Sequence, residues 1–166
     1  MDKNKKFLEH LNIKNLICLL VITIIFSFDR LSKIKIIELL IDKNSLFINN
    51  FINLDLVWNT GIGFGLFSSD SNLIYNLITG IICVVIMCLI YLILKSKMID
   101  KLLFSLILGG ALGNVYDRLT YYAVPDFIDI HFKNFHWFTF NIADIFITVG
   151  ILAFITKDLI LKDAKN

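Results

Sequence analysis

The most apolar run of this chain covers residues 73–94, which makes 22 consecutive residues without a formal charge. At a rise of about 1.5 Å per residue, a helix of that length crosses the roughly 30 Å hydrocarbon layer of a bilayer. The chain is 57% hydrophobic and 18% charged. One domain, residues 1–166, could not bury that much apolar surface in water, so the composition predicts a membrane protein.

Three further apolar runs predict three more membrane-spanning helices, which gives four in all. They cover residues 16–28, 102–116 and 138–156. Residues 34–41 predict a short helix on the membrane surface. Residues 46–67 combine β-branched and aromatic residues with a glycine-rich end, which predicts a small β-sheet. Residues 119–137 are interpreted as a polar, aromatic loop.

The distribution of basic residues predicts the orientation of the chain in the membrane. Ten of the 16 lysines and arginines lie in segments 1–14, 95–101 and 157–166. Because cytoplasmic segments are enriched in Lys and Arg, we expect both termini in the cytoplasm and the two larger loops, with the sheet, outside it. We therefore expect a multi-pass protein of the cytoplasmic, or inner, membrane of a bacterium.

Acidic residues near the ends of the apolar runs are the candidates for chemistry. The pattern Asn-x-x-Asp occurs as Asn114–Asp117 and as Asn141–Asp144, and Asp126 lies between the two. Ionisable groups at membrane depth are costly and are functional candidates by default. A helix starting near residue 138 would place Asp144 only about 9 Å along its axis, close to the outer boundary of the membrane.

Two carboxylates facing each other at a poorly hydrated site cannot both ionise cheaply, so the pair retains one proton. Such a pair can activate water as a base while its protonated member polarises a carbonyl. This chemistry hydrolyses a peptide bond without a metal ion or a covalent intermediate. From spacing alone, Asp126 could equally be a solvated loop residue, and Asp117 shares the pattern of Asp144.

Several sequence blocks, in order along nearly the whole chain, resemble the lipoprotein signal peptidase (signal peptidase II) family. They are DRLSK, NTGIGFG, GGALGNVYDRL, VPDFID and FNIAD, which begin at residues 29, 59, 109, 124 and 140. The resemblance implies a membrane aspartic endopeptidase that removes signal peptides from diacylglyceryl-modified prolipoproteins. The chain departs from the family's pattern at two positions: it has Arg30 where the family commonly has glutamine, and Pro125 where an aliphatic residue is common.

By position in these blocks, the resemblance implies that Asp126 and Asp144 are the catalytic pair. It also implies a set of residues that bind or orient the substrate, namely Asn59, Asn114, Arg118 and Asn141. We expect three charged residues to support the structure: Asp29 and Lys33 as a pair on the first helix, and Asp117 as an ion pair with Arg118. Arg118 could instead bind a lipid phosphate.

We expect neither a metal nor a cofactor. His131, His136 and Asp129 suggest a metal site, but the spacing of the histidines fits no tight helical pair. The expected partners are lipidated prolipoproteins and membrane lipid, with no nucleic acid and a monomeric state. Two alternatives remain open, a proton-coupled membrane carrier that uses Asp144 and a membrane protein that binds lipoproteins without catalysis.

Overall fold

The computed structural model describes residues 12–43, 45–61 and 72–163. Within these ranges it contains four helices and one antiparallel sheet of four strands. In chain order they are α1 (Ile13–Leu40), β1 (Ser45–Phe47), β2 (Ile52–Asn59), α2 (Asn72–Lys95), α3 (Met98–Tyr121), β3 (Val124–Phe132), β4 (Phe135–Phe140) and α4 (Ile142–Asp163). The prediction of a mainly helical chain with a small sheet is confirmed.

Two helices, over Leu73–Lys95 and Met98–Tyr121, are long and apolar enough to cross a bilayer. Many large apolar side chains of α2 point away from the protein, among them Leu77, Val84 and Met87, as expected of a helix that faces lipid. The other two helices, α1 and α4, carry charged residues within their length. For them, membrane spanning stays a prediction.

The predicted surface helix at residues 34–41 is wrong as a separate element, because these residues continue α1 without a break up to Leu40. The sequence of α1 contains neither proline nor glycine, the residues that most often end or kink a helix. An ion pair between Asp29 and Lys33, one turn apart, also bridges the region where the break was expected.

Helix α3 lies at the centre and packs against the other three helices. Three of its glycines allow this close approach. A Cβ atom on Gly109 would lie 2.9 Å from Ile25 Cβ of α1, and one on Gly110 would lie 2.5 Å from the Ala143 carbonyl oxygen of α4. Gly113 faces Asp29 in the same way. Gly109 and Gly113, four residues apart, thus both face α1, whereas Gly110 faces α4.

The sheet has the strand order β1-β2-β3-β4, with every pair antiparallel. Half of it comes from a segment that we interpreted as a loop. Residues 119–137 instead contain the end of α3, all of β3 and the start of β4, with a tight turn at Lys133, whose φ is 56°. Alternating β-branched and aromatic residues favour this hairpin over a loop. The sheet joins α1 to α2 and α3 to α4, so it lies at one end of the helices.

Candidate active site

Asp144 lies in the first turn of α4 and forms a reciprocal cap with Asn141. The Asp144 backbone N–H donates to Asn141 Oδ1 at 3.0 Å, and the Asn141 backbone N–H donates to Asp144 Oδ2 at 3.2 Å. This capping box satisfies two backbone donors that would otherwise lack a partner near the helix start. The Asn-x-x-Asp spacing therefore fixes the directions of both side chains here.

Asp126 lies on β3 and is bound to the same asparagine. Asn141 Nδ2 donates to Asp126 Oδ1 at 2.6 Å, and Asn59 Nδ2 donates to Asp126 Oδ2 at 2.8 Å. Asp126 is only 2% exposed. One asparagine side chain thus contacts both aspartates that the sequence singled out, and Asn59 of β2 closes the other side of Asp126.

The orientation of each amide is set by a backbone donor. Gly61 N–H donates to Asn59 Oδ1 at 2.8 Å, and Asp144 N–H occupies Asn141 Oδ1. Because both amide oxygens are used in this way, each amide presents its NH₂ group to Asp126. Both oxygens of Asp126 are therefore held in fixed directions by neutral donors, and no lysine or arginine in the described ranges forms an ion pair with them.

Burial, together with the nearby negative charge of Asp144, raises the pKa of the Asp126 carboxyl from its ordinary value to about 7. The hydrogen bonds from Asn59 and Asn141 act against this rise because they favour the charged form. A carboxyl that titrates near neutral pH can hold or release a proton during a reaction.

A second cluster of buried polar side chains lies beside this pair, and Lys33 of α1 is at its centre. Lys33 is fully buried, and its Nζ donates to Asp117 Oδ2 at 2.6 Å, to Asp29 Oδ2 at 2.8 Å and to Asn114 Oδ1 at 2.9 Å. Arg30 forms a further ion pair with the other oxygen of Asp117. Two cations and two carboxylates thus compensate each other inside the helix bundle.

Two contacts join this ionic cluster to the aspartate pair. Asn114 accepts from Lys33 and donates through Nδ2 to Asp144 Oδ1 at 2.9 Å. Asp29 Oδ1 accepts a hydrogen bond from the backbone N–H of Ala143 at 2.9 Å, so a side chain of α1 pairs a free backbone donor in the first turn of α4. The polar network is therefore continuous from Lys33 through Asn114, Asp144 and Asn141 to Asp126.

The expected ion pair between Asp117 and Arg118 is wrong. Adjacent residues on a helix point in different directions, and Asp117 turns towards α1 to meet Arg30 and Lys33. Arg118 turns the other way and donates from Nη2 to the Gly61 carbonyl oxygen. Its own carbonyl oxygen accepts from the Tyr75 hydroxyl at 2.8 Å. Asp29 and Lys33 do pair as expected, but Lys33 also binds α3.

An apolar cavity of about 300 Å³ between α2, α3 and α4 ends at this site. Its polar residues are Asn114, Arg118, Asp144 and Thr148, and apolar side chains line the rest. Arg118 has two buried nitrogens, Nε and Nη1, without a hydrogen-bond partner among the described residues. Unpaired buried donors are costly, so this end of the cavity suits a ligand with an acceptor oxygen.

Sequence reasoning missed the roles of Arg30 and Tyr75. Arg30 had a signal, because the group Asp29, Arg30 and Lys33 within one apolar helix carries one more positive than negative charge. Tyr75 had none, since it is one of many aromatic residues in apolar runs.

The residues considered for a metal site lie elsewhere in the sheet. Asp129 and His136 are 2.7 Å apart, and Asp55 of β2 completes a group of potential ligands. This group contains neither Asp126 nor Asp144.

Comparison with known proteins gives one consistent result. The family description "Signal peptidase (SPase) II" matches residues 21–160. The chain is 47% identical over 162 residues to the lipoprotein signal peptidase of Pelagibacter ubique (strain HTCC1062), covering 96% of this chain and 98% of that protein. It is 36% identical over 156 residues to the lipoprotein signal peptidase of Anaplasma phagocytophilum (strain HZ), covering 92% and 98%.

Two solved structures described as bacterial membrane enzymes resemble the fold. One has a TM-score of 0.76 and 28% identity and covers 90% of this chain and 91% of the other. The second has a TM-score of 0.67 and 26% identity and covers 86% and 92%.

Proposed function

Because this chain belongs to the signal peptidase II family and is a membrane aspartic protease that removes signal peptides from lipoproteins, we propose that Asp126 and Asp144 are its catalytic pair. The observation that carries this proposal is Asn141, which donates to Asp126 while forming the capping box with Asp144. That arrangement holds two carboxyl groups from different elements in fixed orientations beside an apolar cavity.

In the proposed reaction, Asp144 is ionised and Asp126 carries the proton that the pair shares. Asp144 takes a proton from a water molecule, whose oxygen attacks the carbonyl carbon of the scissile peptide bond. Asp126 donates its proton to the carbonyl oxygen as the tetrahedral intermediate forms. The intermediate then expels the amine, which takes the proton from Asp144, and a hydroxyl of the intermediate returns its proton to Asp126 as the carboxyl group forms. The pair returns to its singly protonated state.

The surrounding residues position the substrate. The apolar cavity fits acyl chains of a diacylglyceryl group, while the unpaired Nε and Nη1 of Arg118 can donate to a carbonyl or ester oxygen at its polar end. Asn114 and Asn141 orient the carboxyl groups, and Asn59 orients Asp126 from the strand that borders it. Asp29, Lys33 and Asp117 support these residues by fixing α1 against α3 and α4.

We further propose that all four helices cross the inner membrane of a bacterium, that both termini are cytoplasmic and that a monomer is active. The three charged residues in the middle of α1 are compatible with this, because Asp29, Arg30 and Lys33 are buried and do not face lipid. The sheet and the active site then lie near the outer face of the membrane.

The decisive experiment is a cleavage assay on the purified protein with a diacylglyceryl-modified prolipopeptide, beside the same peptide without lipid. We expect cleavage of the lipidated peptide alone, and we expect EDTA to leave the rate unchanged. Binding of the lipidated peptide without cleavage by the wild-type protein would favour the non-catalytic alternative. Substrate-independent proton flux in liposomes that Asp144→Asn abolishes would favour the carrier.

A further inference from the structure

We propose that the sheet binds one divalent transition-metal ion through Asp55, Asp129 and His136, at a site separate from the aspartate pair. One potential ligand comes from each of three strands, β2, β3 and β4, and the ligand atoms all lie within 4.8 Å of one another. Oxygen and imidazole donors from neighbouring strands form a set that suits Zn²⁺ and its first-row neighbours.

The ligands are held before any ion binds. Asp129 is 2% exposed, and its Oδ2 is 2.7 Å from Nδ1 of His136. The Ser45 hydroxyl donates to Oδ1 of Asp55, which leaves Oδ2 of that carboxyl for another partner. Burying a carboxylate beside a second one is unfavourable unless a cation compensates them. In the described part of the chain, neither Asp55 nor Asp129 has a lysine or arginine within ion-pair distance.

Two unpaired polar groups provide the independent observation. His131 is 6% exposed, its ring stacks on that of His136 with centroids 5.1 Å apart, and neither of its nitrogens has a hydrogen-bond partner among the described residues. Asn53 lies directly opposite Asp129 in the strand register, and its Oδ1 is also buried without a partner. Buried polar atoms are rarely left unpaired, and both residues add donor atoms suited to an ion at this place.

The strand geometry removes the objection that the spacing of His131 and His136 fits no tight helical pair. That argument assumed a helix, whereas the two histidines are cross-strand partners in the β3–β4 hairpin. Asp129 and His131, two residues apart on β3, lie on the same face of the sheet. Asp126 is an odd number of residues from Asp129 and lies on the opposite face. An ion at this site therefore links the three strands and does not contact the catalytic pair.

The test uses the full-length protein without a polyhistidine tag, stripped of metal in detergent and titrated with Zn²⁺ by calorimetry. We expect one Zn²⁺ per chain. His136→Gln and Asp129→Asn should each weaken binding by about tenfold or more. Glu38→Gln, which alters an exposed acid on α1, should leave the affinity within about twofold.

The half-exposed His136 side chain makes His136→Gln the more informative variant should Asp129→Asn fail to fold. Wild-type protein without saturable Zn²⁺ binding, or equal affinity in wild type and His136→Gln, would overturn the proposal.

As a second measurement, Zn²⁺ should slow hydrogen exchange of the β3–β4 amides in wild type and not in His136→Gln, while the cleavage rate of His136→Gln stays close to that of wild type. Equal exchange with and without Zn²⁺ in wild type would also overturn it.

Discussion

The pattern Asn-x-x-Asp occurs twice in this protein, and its two copies do different things. In α3, Asn114 and Asp117 lie inside the helix, and Asp117 faces two cations from α1. In α4, Asn141 is the N-cap and Asp144 the third helical residue, and their partners are amide groups. The same four-residue pattern thus supports an ion pair in one place and a helix cap in the other.

The difference shows that the partners of a carboxyl group decide its role more than its local pattern does. The carboxylate of Asp117 is held by two cations, Arg30 and Lys33, in buried ion pairs. Carboxyl groups held by neutral amides, as Asp126 and Asp144 are, can exchange a proton at modest cost. Asn114 connects the two environments, because it accepts from Lys33 and donates to Asp144.

The largest effect that tests this contrast is loss of either proposed catalytic carboxyl. Asp126→Asn and Asp144→Asn should each lower kcat by about 10,000-fold, since an amide can neither take nor return the proton. Cleavage of a lipidated peptide by purified, folded variants measures this. Glu38→Gln, which changes an exposed acid near the C-terminal end of α1, is the matched control. A normal rate in either aspartate variant would end the assignment of the pair.

The second effect concerns the other copy of the pattern. Asp117→Asn should lower the free energy of unfolding by roughly 3–5 kcal/mol, because it leaves Arg30 and part of Lys33 uncompensated in the protein interior. Turnover at saturating substrate should persist in the molecules that fold. Thermal unfolding in detergent and kcat on the same sample separate the two. A stable Asp117→Asn protein without turnover, beside an active Asp126→Asn protein, would exchange the roles of Asp117 and Asp126.

The third effect separates capping from catalysis at Asn141. Serine is also a good N-cap, so Asn141→Ser should leave stability close to that of wild type, whereas Asn141→Ala should lose about 1 kcal/mol. Both variants lose the Nδ2 donor to Asp126 and should lower kcat by about tenfold or more. A wild-type kcat in Asn141→Ser, together with wild-type stability, would contradict this interpretation.

Sequence reasoning identified the residues of the site better than it identified their contacts. The four apolar runs and the motif order were local signals, so Asp126, Asn141 and Asp144 could be named in advance. The partners of Asp117 could not, because Arg30 and Lys33 lie 87 and 84 residues away and only the packing of α1 on α3 brings them close. The predicted ion pair between Asp117 and Arg118 joined adjacent residues, whose side chains do not face each other on a helix.

The errors in the fold have the same cause. Residues 34–41 looked like a separate helix because charges interrupt the apolar run, yet Arg30 and Lys33 pair with Asp117 of α3 and do not end α1. Residues 119–137 were interpreted as a loop because they are polar and aromatic, yet most of them form β3 and the start of β4 by pairing with β2 and with each other. In both regions, contacts distant in the chain decided the local structure.

The smallest effect concerns the proton on Asp126. Its pKa of about 7 lies above the ordinary value of 3.8, so the singly protonated pair is lost, and kcat falls, as pH rises through about 7. The same raised pKa means that the neutral carboxyl stabilises the fold fully below about pH 4, and that this contribution disappears as pH rises through about 7.

Asn59 donates to the charged form of Asp126. Asn59→Ala should therefore raise the pKa and move the descending limb of the pH–kcat profile to higher pH. Asn49→Ala removes an asparagine that bonds Phe51 and Ile52 N–H groups away from Asp126 and should leave the limb in place. A limb that moves to lower pH in Asn59→Ala would mean that Asp126 is not the group that holds the proton.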